Sequence, residues 1–266
     1  RKILPGTTTV DLRADPAGAV LNPKFRKAFE YSDCWVEDSR LVVLNARDAQ
    51  ARGARILTRA KVISAERGAA DWIVHVRHED GRDEQIAARV VVNAGGPWVE
   101  DVLKTTLRQK SPAGVRLVRG SHIVTRQLYD HDKCYFFQGE DGRIIFAIPY
   151  EGDFTLIGTT DKDHHGDPAN PVCTEDEADY LCAFASRYFR RPVTRADVVW
   201  TYSGVRPLYN DGAKSATAAT RDYVLSLDDH AALSRPIAGR IFFAGEAATA
   251  SAPSYAHGAL LGGRRA

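Results

Sequence analysis

The chain has no CxxC pair. Its four cysteines, Cys34, Cys134, Cys173 and Cys182, are too widely spaced to outline a zinc site or a disulfide framework. They read as free or buried thiols in a reducing cytosol. The histidines have no ligand-like neighbours, so no metal is expected, and His164 and His165 read as solvent-exposed loop residues. No apolar run reaches the roughly 18 residues that cross a bilayer. No signal-peptide pattern opens the sequence. Neither absence speaks against a peripheral membrane contact. There is no surplus of one charge: 36 Lys and Arg stand against 34 Asp and Glu, a formal net charge of +2. That balance excludes a nucleic-acid surface built on bulk positive charge. There is no internal repeat and no low-complexity segment. A GxGxxG run is also missing, and with it the acidic residue that would follow to hold a ribose. The backbone nest for a dinucleotide pyrophosphate is therefore not in this stretch of chain.

What is present is 266 residues, enough for one large domain or two intertwined ones. Arg1 to Gly6 reads as the end of a helix, and residues 7 to 33 as irregular. Glu37-Asp38-Ser39 caps a helix through about Arg52, with Gly53 as its stop and Leu41 and Leu44 at helical spacing. Strands over 55–67, 72–77 and 84–88 form a β-meander. Arg89 to Asn93 is short and largely apolar, as in a strand buried on both faces of a parallel sheet. A helix follows from Pro97 to about Leu107. A second sheet is expected from strands over 115–125, 134–138, 143–149 and 154–159, then a helix from Thr174 to about Arg190. The stretch from Val198 begins as a strand, breaks at Ser203-Gly204 and stops at Pro207. Further strands are expected at 222–227 and 239–246, and a last helix over about 254–265.

Several positions carry candidate chemistry. Arg206 and Arg221 would sit at the mouths of two strands, where two guanidinium groups make an anion clamp for phosphate or carboxylate; solvated surface arginines are the plainer alternative. Asn93-Ala94-Gly95-Gly96 and Ala244-Gly245-Glu246 both join a strand to a helix through small residues. Such turns let backbone approach a ligand, but tight connections need the same glycines. His122, in a strand after Gly120-Ser121, is suited to accept a proton near neutral pH, and equally to be a hydrogen-bonded core histidine. Thr159-Thr160-Asp161 ends a strand in two hydroxyls and a carboxylate, which fits a cofactor lining or ordinary turn chemistry.

Six motifs agree on one family. Phe29-Glu30-Tyr31-Ser32-Asp33-Cys34-Trp35, Val92-Asn93-Ala94-Gly95-Gly96-Pro97-Trp98, Arg119-Gly120-Ser121-His122-Ile123-Val124 and Ile157-Gly158-Thr159-Thr160-Asp161 come first. Trp200-Thr201-Tyr202-Ser203-Gly204-Val205-Arg206-Pro207-Leu208 and Thr220-Arg221-Asp222-Tyr223 complete the set. In this order, over about residues 1 to 228, they closely resemble the FAD-dependent glycerol-3-phosphate dehydrogenases. The resemblance implies a mixed α/β (α+β) fold. Part of a doubly wound FAD-binding domain, residues 1–110 and 229–266, would be interwoven with a substrate domain, 111–228, built on a mostly antiparallel sheet. The implied reaction oxidises sn-glycerol 3-phosphate to dihydroxyacetone phosphate and passes electrons through FAD to a quinone. The implied location is the cytoplasm, with peripheral contact at the cytoplasmic face of the inner membrane.

Carried over by residue, the resemblance gives Arg206 and Arg221 the substrate phosphate and His122 the reacting hydroxyl. It puts Thr159 near the flavin ring, with Val62, Ala94 and Gly95 touching the cofactor through backbone. The tail, Gly239 to Ala266, instead resembles the end of flavin amine oxidases, where Gly245 and Glu246 would lie beside the flavin and its phosphates. Two further readings follow from these features: an amine oxidase, suggested by the tail alone, and a non-catalytic fragment that binds phosphate esters without flavin. Without the pyrophosphate loop, weak FAD retention is expected.

Overall fold

The computed structural model describes residues 4–108 and 114–221. Arg1–Ala219 form one compact unit, and Thr220–Ala266 fall in a second. The strands and helix expected beyond Asp222, including Gly245 and Glu246, lie outside the described residues.

The first elements correct the expectation of an irregular start. Strand β1 (Thr8–Asp11) pairs antiparallel with β2 (Lys27–Glu30). Asp15 caps a single 3-10 turn over Pro16–Gly18 between them by accepting from the Ala17 amide at 2.8 Å. Residues 4–6 are not helical. Helix α1 (Asp38–Ala51) follows over the expected span, with Gly53 in the left-handed region at φ +93° just past its end, but Glu37 at its N-cap makes no capping side-chain hydrogen bond. Its apolar stripe is real but buries nothing: Leu41 and Leu44 are about half exposed.

Strands β3 (Ala60–Arg67), β4 (Trp72–His78) and β5 (Asp83–Ala88) form the meander, in that spatial order. A bulge places Ile63 opposite no partner, because Val62 faces Val76 while Ser64 faces His75. Residues 89–93 are not a strand, contrary to the sequence reading, and Val92 is 82% exposed. A doubly buried strand needs a neighbour on each edge. Among the described residues none is offered, so the apolar run forms no strand and leaves Val90 and Val92 exposed. The helical stretch after it is composite: a 3-10 turn over Gly96–Trp98, a short α2 (Val99–Asp101) and a π turn over Val102–Thr106.

The main sheet has six antiparallel strands around a long central one, β6 (Val115–Arg126). The others are β7 (Tyr135–Gln138), β8 (Ile144–Tyr150), β9 (Phe154–Gly158), β10 (Lys162–Asp163) and β11 (Val198–Tyr209). One edge of β6 is shared by β9 and β10, and β11 covers the other along nearly its whole length. One face of this sheet packs on α3 (Glu175–Ser186). Ile123, Ile145, Ala147 and Ile157 of the sheet meet Leu181, Phe184 and Ala185 of α3 in a core to which Leu12 and Leu21 also contribute. The alternation of three strands and the turn of one helix thus bury one set of apolar side chains. Helix α3 stops earlier than the sequence suggested, since Pro192 lies just ahead and Ser186 bonds both the amide and the carbonyl of Val193.

The largest correction concerns β11. It neither breaks at Ser203-Gly204 nor stops at Pro207; it runs unbroken to Tyr209. Pro207 has no amide to donate, but among the described residues β11 is an edge strand, which needs none on its open side. Arg206 is consequently mid-strand rather than at a strand mouth. His164, expected in solvent, is buried at 9% exposure, because its amide donates to the Leu117 carbonyl and draws the loop onto β6. No helix among the described residues is long and apolar enough to cross a membrane.

Candidate active site

Pairing along β6 assembles a polar face from distant parts of the chain. His122 faces Gly158 of β9 on one side and Tyr202 of β11 on the other. A Cβ on Gly158 would stand 2.0 Å from Cδ2 of the imidazole, so a glycine there is what gives the ring its space. On the opposite flank the Tyr202 ring stacks on the imidazole, with centroids 4.8 Å apart and planes within 6°. Among the described residues the ring has no hydrogen-bond partner, and its Nδ1 is buried. Burial, and then the positive charge of Arg206, push the imidazole pKa down to about 4, with the Asp38 carboxylate pulling the other way. His122 is therefore neutral at physiological pH.

Arg206 lies across the strand pair from Val118, and its guanidinium reaches over Gly120. A Cβ at Gly120 would be 2.6 Å from both Nη2 of Arg206 and Oγ1 of Thr159, which accounts for a second glycine on this face. Arg206 donates to Asp161 Oδ1 at 3.0 Å and to Thr159 Oγ1 at 3.3 Å. Thr160, between those two residues, turns the other way. Its hydroxyl accepts from the Ser121 amide at 2.9 Å and donates to Glu177 Oε1 at 2.8 Å.

Glu177 is the hub beneath the site. It is 1% exposed, yet it takes hydrogen bonds from the Arg119 guanidinium, the Ser121 and Thr160 hydroxyls, and both the amide and the hydroxyl of Thr174. Burial alone would raise its carboxyl; bonds from Thr160, the Thr174 amide, Arg119 and Ser121 outweigh that and hold it below the ordinary range. The sequence analysis gave this residue no role. Its spacing from Thr174 does signal the capping box that forms, but nothing in the sequence signals the contacts to β6. Tyr202 was likewise missed as more than a strand residue.

Of the other expected residues, Val62 is 41% exposed beside the bulge of β3. Ala94 is exposed and Gly95 half-buried in a turn braced by Asn93, whose side chain accepts from the Gly95 amide and donates to the Val99 carbonyl. The Gly96–Trp98 turn lies against β11. Arg221 belongs to the second compact unit, at the limit of the described residues. All four cysteines are free, and the described residues hold no cluster of metal-ligating side chains.

The fold is mixed, with antiparallel sheets, and its polar face sets a neutral imidazole near the Arg206 guanidinium. The sequence profile of the FAD-dependent oxidoreductases matches residues 5–244, and the chain belongs to that family. Within it, the chain is 47% identical over 230 residues to D-erythritol 1-phosphate dehydrogenase of Brucella abortus (strain 2308), covering 86% of this chain and 46% of that protein. It is 43% identical over 230 residues to the aerobic glycerol-3-phosphate dehydrogenase of Escherichia coli (strain K12), covering 86% of this chain and 45% of that protein. The glycerol-3-phosphate dehydrogenase from Bacillus halodurans complexed with FAD superposes with a TM-score of 0.62 at 29% identity, over 78% of this chain and 45% of that one. The chain thus spans less than half the length of each of these relatives.

Proposed function

We propose that the chain is part of an FAD-dependent dehydrogenase that oxidises the secondary hydroxyl of sn-glycerol 3-phosphate, giving dihydroxyacetone phosphate, with a quinone as the electron acceptor. The observation that carries this reading is the pairing of a neutral, unpartnered imidazole with an oriented guanidinium on one sheet face. Two glycines clear the space for both.

In this reading His122 takes the hydroxyl proton. It is already neutral, so no proton has to leave first; its low basicity limits the driving force. Arg206 grips the phosphate, aimed by Asp161 and Thr159, and Arg221 supplies the second guanidinium. Charge-assisted bonds of this kind are worth about 1.5–3 kcal/mol each and fix the pose of a small substrate. Val62, Ala94 and Gly95 would hold FAD through backbone, with Thr159 beside the ring and Gly245 and Glu246 near its phosphates. The fit rests on Asn93, which spends its side chain bracing the turn and leaves Ala94 open. When bound, FAD would accept the hydride from the substrate carbon. The cofactor parts would be residues 1–110 and 229–266, and the substrate part 111–228. Peripheral attachment at the cytoplasmic face of the inner membrane would place the chain near its quinone.

The purified chain, loaded with FAD, is expected to lose its visible flavin absorption when sn-glycerol 3-phosphate is added; a spectrum that does not bleach contradicts the reading. Arg206→Ala is expected to weaken substrate binding about 10- to 100-fold, the equivalent of one lost charge-assisted bond. Titration calorimetry giving unchanged affinity would refute the phosphate role. The 47% identity to a D-erythritol 1-phosphate dehydrogenase favours a second reading, a longer polyol phosphate as substrate. Comparing kcat/KM for the two phosphates decides between them.

A further inference from the structure

We propose that Tyr202 is a positioning residue for His122: its ring fixes the plane of the imidazole and shields it from water. A catalytic histidine is commonly oriented by a hydrogen bond from one ring nitrogen to a carboxylate or carbonyl. Here there is none among the described residues, since the ring makes no hydrogen bond with them and Nδ1 is buried. What holds the ring is steric. Tyr202 lies parallel to it at 4.8 Å, and the Gly158 backbone occupies the other flank. The register makes this obligatory, because His122 and Tyr202 are directly opposed on adjacent strands, where cross-strand rings are close enough to touch. Tyr202 is in turn backed by Trp200, two residues earlier on the same face, at 5.4 Å.

The charged and titratable groups near the pair come from three elements. Arg206 lies on β11 with Tyr202 and disfavours a protonated imidazole; Asp38, at the start of α1, favours it; Tyr150 of β8 acts on the Tyr202 hydroxyl. Removing the tyrosine ring leaves these charges in place and lets water reach the imidazole. Desolvation is the leading cause of the depressed imidazole pKa, so loss of the ring moves that pKa upward. Loss of the hydroxyl alone does not.

The inference rests on His122 being the base, but its test is separable. The imidazole is titrated by heteronuclear NMR in the full chain and in Tyr202→Phe, Tyr202→Val and Tyr202→Thr. The last two keep a β-branched residue suited to a strand. Tyr202→Phe is expected to titrate with the parent, near pH 4. The β-branched variants are expected to titrate higher by about one pH unit or more, towards the ordinary histidine value, and to lose kcat rather than gain KM. Two replacements guard against one that fails to fold. An imidazole that titrates in folded Tyr202→Val or Tyr202→Thr where the parent does would overturn the inference. So would a Tyr202→Phe chain that behaves like them. Full turnover in His122→Gln would overturn the base reading instead, and would leave the NMR result on Tyr202 standing.

Discussion

His122 shows how a residue's neighbours decide its chemistry. An exposed imidazole titrates near pH 6.5; this one, half-buried and near Arg206, is pushed down to about 4. If neutral His122 is the base, the acid limb of kcat/KM should fall near pH 4 rather than near 6.5, and a pH-rate profile checks it. The same shift has a stability consequence. The folded value lies below the unfolded one, so the unfolded chain binds the extra proton first. The contribution is complete above about pH 6.5 and is lost as pH falls towards 4. At 1.36 kcal/mol per pH unit it amounts to roughly 3 kcal/mol. His122→Gln should remove that part of the pH dependence from urea unfolding curves. The sequence located His122 in a strand after a glycine. It could not reveal Tyr202 as the stacking partner, because eighty residues separate them and only strand register brings them together.

At the scale of elements, the buried carboxylate of Glu177 ties α3 to β6 and to the loop that aims Arg206. Removing one partner of a buried ion pair leaves the other charge uncompensated. Glu177→Ala should therefore cost about 3–5 kcal/mol in denaturant unfolding, far more than the roughly 1 kcal/mol expected for a lost N-cap in Thr174→Ala. Equal losses in the two variants would reduce Glu177 to a capping residue. Helix α1, the meander and the four strands from 115 to 158 were legible from period, caps and turns, since each is decided by local rules. The reach of β11 was not. Gly204 and Pro207 are local stop signals, and the long edge of β6 overrides them by pairing through both positions. The run at 89–93 failed in the opposite sense: it has the composition of a buried strand, and the described residues offer it no strand to pair with.

For the whole molecule, the absence of GxGxxG from these 266 residues bears on the cofactor. FAD would be held here by backbone and a few side chains, without the pyrophosphate nest that normally anchors a dinucleotide. The isolated chain should lose most of its flavin on dialysis; stoichiometric retention measured by absorbance would contradict this.

The sequence by itself determined the family, the alternation that builds the antiparallel sheet, the helix caps, and the candidacy of His122 and Arg206. Those features are written in neighbouring residues or in short motifs. Tertiary structure alone decided that Gly158 and Tyr202 flank the imidazole, that Gly120 makes way for the guanidinium, and that a helix carboxylate braces the loop beneath. Such contacts depend on register between strands far apart in the chain, and register is set by the global burial of one sheet face.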